Sequence, residues 1–209
     1  MKPLNIPPDI TVVSHETLDR LHHYHSLLLK WQEKINLISP NTVPEAWERH
    51  FIDSAQLSPL IPEGVQTLYD LGSGAGFAGL VIAMLRPDIQ VTLVESDAKK
   101  CAFLSTVSRE TGVRVTIRNE RIEVSTAALL PPDLVMARAL ASLSDLFSYI
   151  WPWAEKHAGL QLLFPKGHQA VKEIEAALAA GWAFECSETP SKTEPSAQIL
   201  SITKLAKHI

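Results

Sequence analysis

The segment richest in potential chemistry is Asp70-Leu-Gly-Ser-Gly-Ala-Gly-Phe-Ala-Gly79. Gly72, Gly74 and Gly76 allow a tight turn and a close approach of backbone to a ligand. The run also contains the spacing of a dinucleotide fingerprint, at Gly74, Gly76 and Gly79, which alone is weak. Asp70 separates the readings. A carboxylate just before the turn repels a pyrophosphate and suits an ammonium, such as the methionine end of S-adenosylmethionine. The bland alternative is an ordinary strand–helix turn. Glu95 follows about 20 residues later, where an acid would bond both ribose hydroxyls of an adenosine. Nicotinamide and methyl-donor cofactors both use such an acid, so Glu95 does not choose between them.

Positioning these groups requires strands that end at the same edge. Thr67–Leu71, Gln90–Glu95, an alternating Val113/Val115/Ile117 segment, Asp133–Arg138 and Leu160–Phe164 read as strands. Helices are expected over 77–85, 97–111, from Ser142, and over 169–180. Strand–helix repeats imply a parallel sheet covered on both faces, with ligands at the strands' carboxyl ends. Phe184–Ser187 and Ile199–Leu205 have no helix between them, so they should pair antiparallel at one edge, joined by the polar loop SETPSKTEPSAQ. Ahead of the sheet, Leu18, Leu21, Tyr24, Leu28, Trp31, Ile35 and Ile38 form one apolar stripe of a long helix, capped by Ser14. A second helix is expected from Pro44 to about Leu57. The organisation predicted is a helical extension over 1–64 and a sheet domain over 65–209.

Composition narrows the class. The chain has 209 residues, 46% hydrophobic and 20% charged, enough for a buried core. Two cysteines exclude a disulfide scaffold and point to a reduced, cytoplasmic setting. No apolar run approaches the ~20 residues of a membrane span. Net charge is −4, which argues against a protein that coats nucleic acid and leaves room for a local basic patch.

Further residues extend the pattern across the chain. They are Lys30-Trp31…Asn36-Leu37, Arg49-His50…Asp53-Ser54, Glu95-Ser96…Lys99-Lys100…Phe103-Leu104, Arg121-Ile122-Glu123, Ala137-Arg138-Ala139 and Lys166-Gly167. With the glycine segment, they make the chain resemble the bacterial small-subunit ribosomal RNA guanine-N7 methyltransferase family. The resemblance implies a class I S-adenosylmethionine-dependent methyltransferase, an α/β Rossmann-like fold with a seven-stranded sheet and an antiparallel edge pair. It implies S-adenosylmethionine as cofactor, small-subunit ribosomal RNA or the small subunit as partner, and Gly72 and Phe77 in the cofactor pocket. Ile122 and Glu123 would lie beside the adenine. Arg138 would sit at the methionine end or the reaction centre, pairing with the methionine carboxylate being the favoured role, with Lys166 the other catalytic candidate. Arg49 and His50, with Lys99 and Lys100, are candidate RNA contacts. Ala78 and Gln198 depart from the family, which usually has Pro and often Arg at these places. The competing readings are a small-molecule methyltransferase, a nicotinamide-dependent oxidoreductase and a donor-binding module without catalysis.

Absent motifs agree with N7 as the target. No Asn/Asp-Pro-Pro-aromatic motif follows the fourth strand, as amine methylation would need, and no Pro-Cys, as attack on a pyrimidine would need. Cys101 and Cys186 read as buried thiols. His15, His22, His23 and His25 lack companions for a four-ligand zinc site, so no metal is expected and they read as surface residues. Trp31 and Trp47 read as packing aromatics.

Overall fold

The computed structural model describes residues 4–207. Seven strands form one sheet: β1 (Thr67–Leu71), β2 (Gln90–Glu95), β3 (Val115–Asn119), β4 (Leu134–Ala137), β5 (Gln161–Lys166), β6 (Trp182–Pro190) and β7 (Gln198–Lys207). Their order is β3-β2-β1-β4-β5-β7-β6. The first five are parallel, and β7 runs antiparallel between β5 and β6. Strand order reverses between β1 and β4, which opens a crevice above their carboxyl ends.

The helices are α1 (His15–Gln32), α2 (Asp53–Ala55), α3 (Gly79–Leu85), α4 (Ala98–Thr111), α5 (Ile122–Ala128), α6 (Leu143–Ala154) and α7 (Ala170–Ala179). Ser14, Asp97 and Ser142 cap α1, α4 and α6 through side-chain oxygens. Gly112, at φ +69°, closes α4 in the left-handed conformation that disfavours residues with a Cβ.

One face of the sheet packs on α6 and α7, around Phe147, Ile150, Trp153 and Phe164. On the other, Leu21, Tyr24 and Leu28 of α1 join Trp47 and Phe51 in the same core as Leu80, Phe103 and Leu104. Each such fully buried apolar side chain contributes about 1.5–3 kcal/mol. The extension therefore shares its core with the sheet.

Several boundaries differ from those the sequence predicts. α1 stops at Gln32, whose side chain turns the chain by accepting from Leu37 N and Ile38 N and donating to Ile38 O. Leu37 and Ile38 remain buried, so apolar spacing continues past the helix. The second helix is three short pieces: a 3₁₀ turn (Pro40–Glu45), a π-helical turn (Trp47–Ile52) and α2. α3 starts at Gly79, leaving Phe77 in the glycine loop. The sequence predicts no helix at α5, whose seven residues are too few for a clear period. β6 and β7 are longer than predicted, because β6 is an edge strand whose exposed residues carry no apolar signal.

Two side-chain expectations also change. Cys186 is exposed on β6, whereas Cys101 is buried. His22 and His25 are half-buried against Trp47, with His22 Nε2 2.6 Å from the Leu4 carbonyl. His15 and His23 are exposed. Among the described residues no helix is long and apolar enough to cross a membrane.

Candidate active site at the switch point

The loop leaving β1 turns on Gly72, Gly74 and Gly76, at φ +64°, +58° and +91°. A Cβ at Gly72 would stand 2.5 Å from a Leu140 methyl, and one at Gly76 would meet Leu80, Tyr24 and Leu104. Tyr24 supports the loop from below, donating its hydroxyl to the Ala75 carbonyl. Glu95, at the end of β2, clamps the loop from the side. Its Oε2 accepts from Gly74 N at 2.8 Å and its Oε1 from Asp97 N at 2.8 Å. Each oxygen keeps a further lone pair for a ligand.

Above this loop lies a cavity of about 340 Å³ lined by Gly72, Gly74, Glu95, Lys100, Ile122 and Glu123, and closed by Leu140 and Tyr149. Backbone floor, strand-end carboxylate and apolar wall suit a nucleoside. Lys99 is exposed and does not border it.

Two predicted residues lie behind the wall. Asp70 is 1% exposed, and its Oδ2 accepts from Gly79 N at 3.1 Å. Burial raises its pKa to about 6, against hydrogen bonds and Arg138, which lower it. Phe77 is buried between the Tyr24 ring at 5.3 Å and the His50 ring at 5.0 Å, near parallel to both.

A second cavity, of about 440 Å³, opens on the other side of residues 139–141. Ala139 and Ala141 border both cavities. Ala139 has φ +51°, an uncommon value for a residue with a Cβ and a mark of local strain. Arg138 and Lys166 line this second cavity and are absent from the first. Arg138 Nη1 bonds Asp53 Oδ2 at 2.8 Å, and Nη2 bonds His50 Nδ1 at 2.8 Å. Lys166 Nζ bonds Glu173 Oε2 at 2.8 Å and the Ala141 carbonyl at 2.7 Å. Arg49 is exposed at the rim, 3.5 Å from Glu194. His50 titrates near 4, because burial first and Arg138 second disfavour its charged form. Gln198 opens β7, opposite Lys166 in register, and borders the same cavity.

Sequence reasoning assigned no role to Asp53, Gln56, Glu173 or Thr193. Asp53 Oδ1 accepts from Thr193 Oγ1 at 2.5 Å and from Gln56 Nε2 at 2.9 Å, tying the extension to the β6–β7 turn. Asp53 stands in the Arg49-His50…Asp53-Ser54 run, which was the available signal. Nothing local marks Thr193 or Glu173.

A glycine-floored cavity at the reversal point of a seven-stranded sheet in which β7 alone runs antiparallel defines a class I methyltransferase fold. Solved structures agree on the fold. A putative O-methyltransferase from Klebsiella pneumoniae superposes with a TM-score of 0.58 at 14% identity, covering 94% of this chain and 93% of its own. An O-methyltransferase from Streptomyces achromogenes, in complex with S-adenosylmethionine, gives 0.57 at 13% identity over 94% and 93%. The sequence profile of rRNA small subunit methyltransferase G matches residues 17–198. Relatives named ribosomal RNA small subunit methyltransferase G include one from Paramagnetospirillum magneticum, 47% identical over 93% of this chain and 92% of that protein. Another, from Rhodospirillum centenum, is 47% identical over 93% and 87%. The chain belongs to the rRNA small subunit methyltransferase G family.

Proposed function

We propose that this protein transfers a methyl group from S-adenosylmethionine to N7 of a guanine in small-subunit ribosomal RNA. In this reading the cavity above the glycine loop takes the donor and the second cavity takes the base. Residues 65–209 carry the donor site, and residues 1–64 complete the acceptor side.

The donor fits the residues present. The positive-φ glycines leave room for its approach, the free lone pairs of Glu95 suit a ribose diol, and Ile122 and Glu123 flank the space for adenine. The buried Asp70 offers negative potential beneath the methionine end.

One observation carries the choice of nucleophile: every basic side chain deep in the second cavity already has a partner. Arg138 and Lys166 are paired cations, and both ring nitrogens of His50 face protein groups. The carboxylates of the cavity, Asp53, Glu173 and Glu194, are ion-paired with Arg138, Lys166 and Arg49, so among the described residues that line it no side chain stands free as a general base. Guanine N7 carries its own lone pair and needs none. S-adenosylmethionine, when bound, would supply an electrophilic sulfonium methyl: the N7 lone pair bonds to that carbon as its bond to sulfur breaks, so that S-adenosylhomocysteine leaves and the positive charge passes to the purine. The protein's part is to hold the base at near-contact distance. Arg138 or Lys166 would donate to O6 as positive charge moves onto the purine. In this reading the exposed Arg49 and Lys99, with Lys100 at the edge of the donor cavity, meet RNA phosphates.

The test is to map N7-methylguanine in small-subunit ribosomal RNA from cells with and without this protein. Loss of one N7-methylguanine is expected, with its return when the purified protein and donor are added. An unchanged set of methylated guanines refutes the proposal.

A further inference from the structure

We propose that His50 is a positioning residue for methyl transfer, acting through Arg138 as a fixed hydrogen-bond acceptor. This rests on the reading above, which puts Arg138 at the reacting base.

The geometry is a directed chain of hydrogen bonds. Thr42 Oγ1 donates to the Ser39 carbonyl at 2.8 Å, which leaves the hydroxyl oxygen as an acceptor. His50 Nε2 lies 3.0 Å from that oxygen, so the ring proton belongs on Nε2. Nδ1 then carries a lone pair, and the Arg138 Nη2 donates to it at 2.8 Å. Burial and the neighbouring cation keep the ring neutral, which preserves that lone pair. Asp53 holds Nη1 at 2.8 Å, with the Arg49 carbonyl at 3.4 Å.

Two different acceptors on the two terminal nitrogens fix the plane and rotation of the guanidinium, which an ion pair to Asp53 alone would not do. The Phe77 ring backs both partners. His50 stacks on it at 5.0 Å, and the guanidinium carbon lies 5.5 Å from its centroid. Nε and the second Nη2 hydrogen of Arg138 have no protein acceptor among the described residues, so these donors are free for a ligand.

Ring packing and the Nδ1 acceptor are separable. His50→Phe keeps a ring against Phe77 and removes the acceptor. His50→Asn removes the ring and keeps an acceptor near the position of Nδ1. The substrate is small ribosomal subunits from cells lacking this protein, and the readout is single-turnover methylation at saturating donor. His50→Phe is expected to slow turnover about tenfold or more, the weight of a hydrogen bond to a charged group. Donor affinity by calorimetry should stay within about twofold, because His50 borders only the second cavity. His50→Asn should recover most of that rate even where its melting temperature is lower. Adding His50→Phe to Arg138→Ala should cost nothing further, since the two act as a unit.

Full activity in His50→Phe, or equal loss in Phe and Asn variants that tracks their melting temperatures, overturns the proposal. Arg138→Ala alone separates the two levels. If it methylates like wild type, the role given to Arg138 falls and the proposal with it. If it is impaired while His50→Phe is not, only the positioning role falls.

Discussion

The cavity above the glycine loop, proposed for the donor, is lined from the carboxyl ends of neighbouring parallel strands: the glycine loop after β1, Glu95 on β2, and Ile122 and Glu123 just past β3. The second cavity, proposed for the base, is lined from distant segments: Thr42 to Gln56 in the extension, Arg138 after β4, Lys166 on β5, Ser191 to Ala197 in the β6–β7 turn, and Gln198 at the start of β7. The first is held by backbone, with amides of Gly74 and Asp97 fixed on one carboxylate. The second is held by side chains, through Asp53–Arg138, Lys166–Glu173 and Asp53–Thr193. Under the proposed function, binding of the cofactor would fall to main-chain geometry, and orientation of the base to side-chain pairs that form only when distant segments meet. Changes on the two sides should therefore damage different kinetic constants.

The largest effect is expected on the donor side. Gly74→Val puts a β-branched residue at φ +58° and fills the approach to the loop. Donor binding in calorimetry should weaken about a hundredfold or beyond, on the scale of 1–3 kcal/mol of backbone strain plus steric exclusion. Undiminished affinity would break the assignment of this cavity.

Asp70 tests what the donor side costs the fold. Its pKa is about 6 in the native state against an ordinary 3.8, so the folded protein binds the proton more tightly than the unfolded chain. Stability on this account is full below pH 3.8, falls as pH rises through about 6, and is level above. Asp70→Asn removes the ionisation and should stabilise the unliganded protein by up to about 3 kcal/mol at pH 8, with little change at pH 3.5. Denaturant unfolding at the two pH values reads this directly. Donor affinity should fall in the same variant, because the negative potential under the loop is gone. A gain in both would show that the carboxylate serves neither.

On the acceptor side, Arg138→Ala should lower turnover about 50-fold, the weight of one or two charge-assisted hydrogen bonds. Donor affinity should hold within about twofold. A raised donor KM with intact turnover would instead move Arg138 to the methionine carboxylate and blur the division between the cavities. The smallest effect is expected for Glu95→Gln, about tenfold in donor affinity with turnover largely spared. The amide can satisfy only one of the two backbone N–H donors that Glu95 accepts. A turnover defect larger than the binding defect would mean that Glu95 influences the transfer itself.

The two sides also differ in how far they could be read from residues. The glycine loop and Glu95 are legible from their spacing, because short-range geometry makes a strand–turn–helix unit out of adjacent residues, whereas Ile122 and Glu123 rest on the family resemblance, no helix being predicted there. The sheet was legible for the same reason: apolar runs with fixed separation imply parallel strands and an edge pair. Places inside the site were less so. Phe77 and Asp70 sit behind the loop rather than in its wall, because packing against Tyr24 and Gly79 takes precedence over their closeness to the glycines. The extension departs from its predicted helices where its hydrogen bonds are irregular. Apolar spacing through Ile38 survives a helix end at Gln32, and the helix expected near Pro44 carries a π-turn that places His50 and Asp53 together on Arg138.

The amino-acid order by itself determined the parallel sheet, the glycine turn and the acid that clamps it, since each depends on interactions within one strand–helix unit. Only the tertiary structure decided that Arg138 faces the second cavity, that its partners are Asp53 and His50, that Thr193 bonds Asp53, and that Glu173 pairs with Lys166. These contacts join residues 85 to 140 positions apart, apart from the short Lys166–Glu173 pair. Their formation depends on the extension burying Tyr24, Trp47 and Phe51 in the core it shares with the sheet, and no local pattern encodes where that packing brings a side chain.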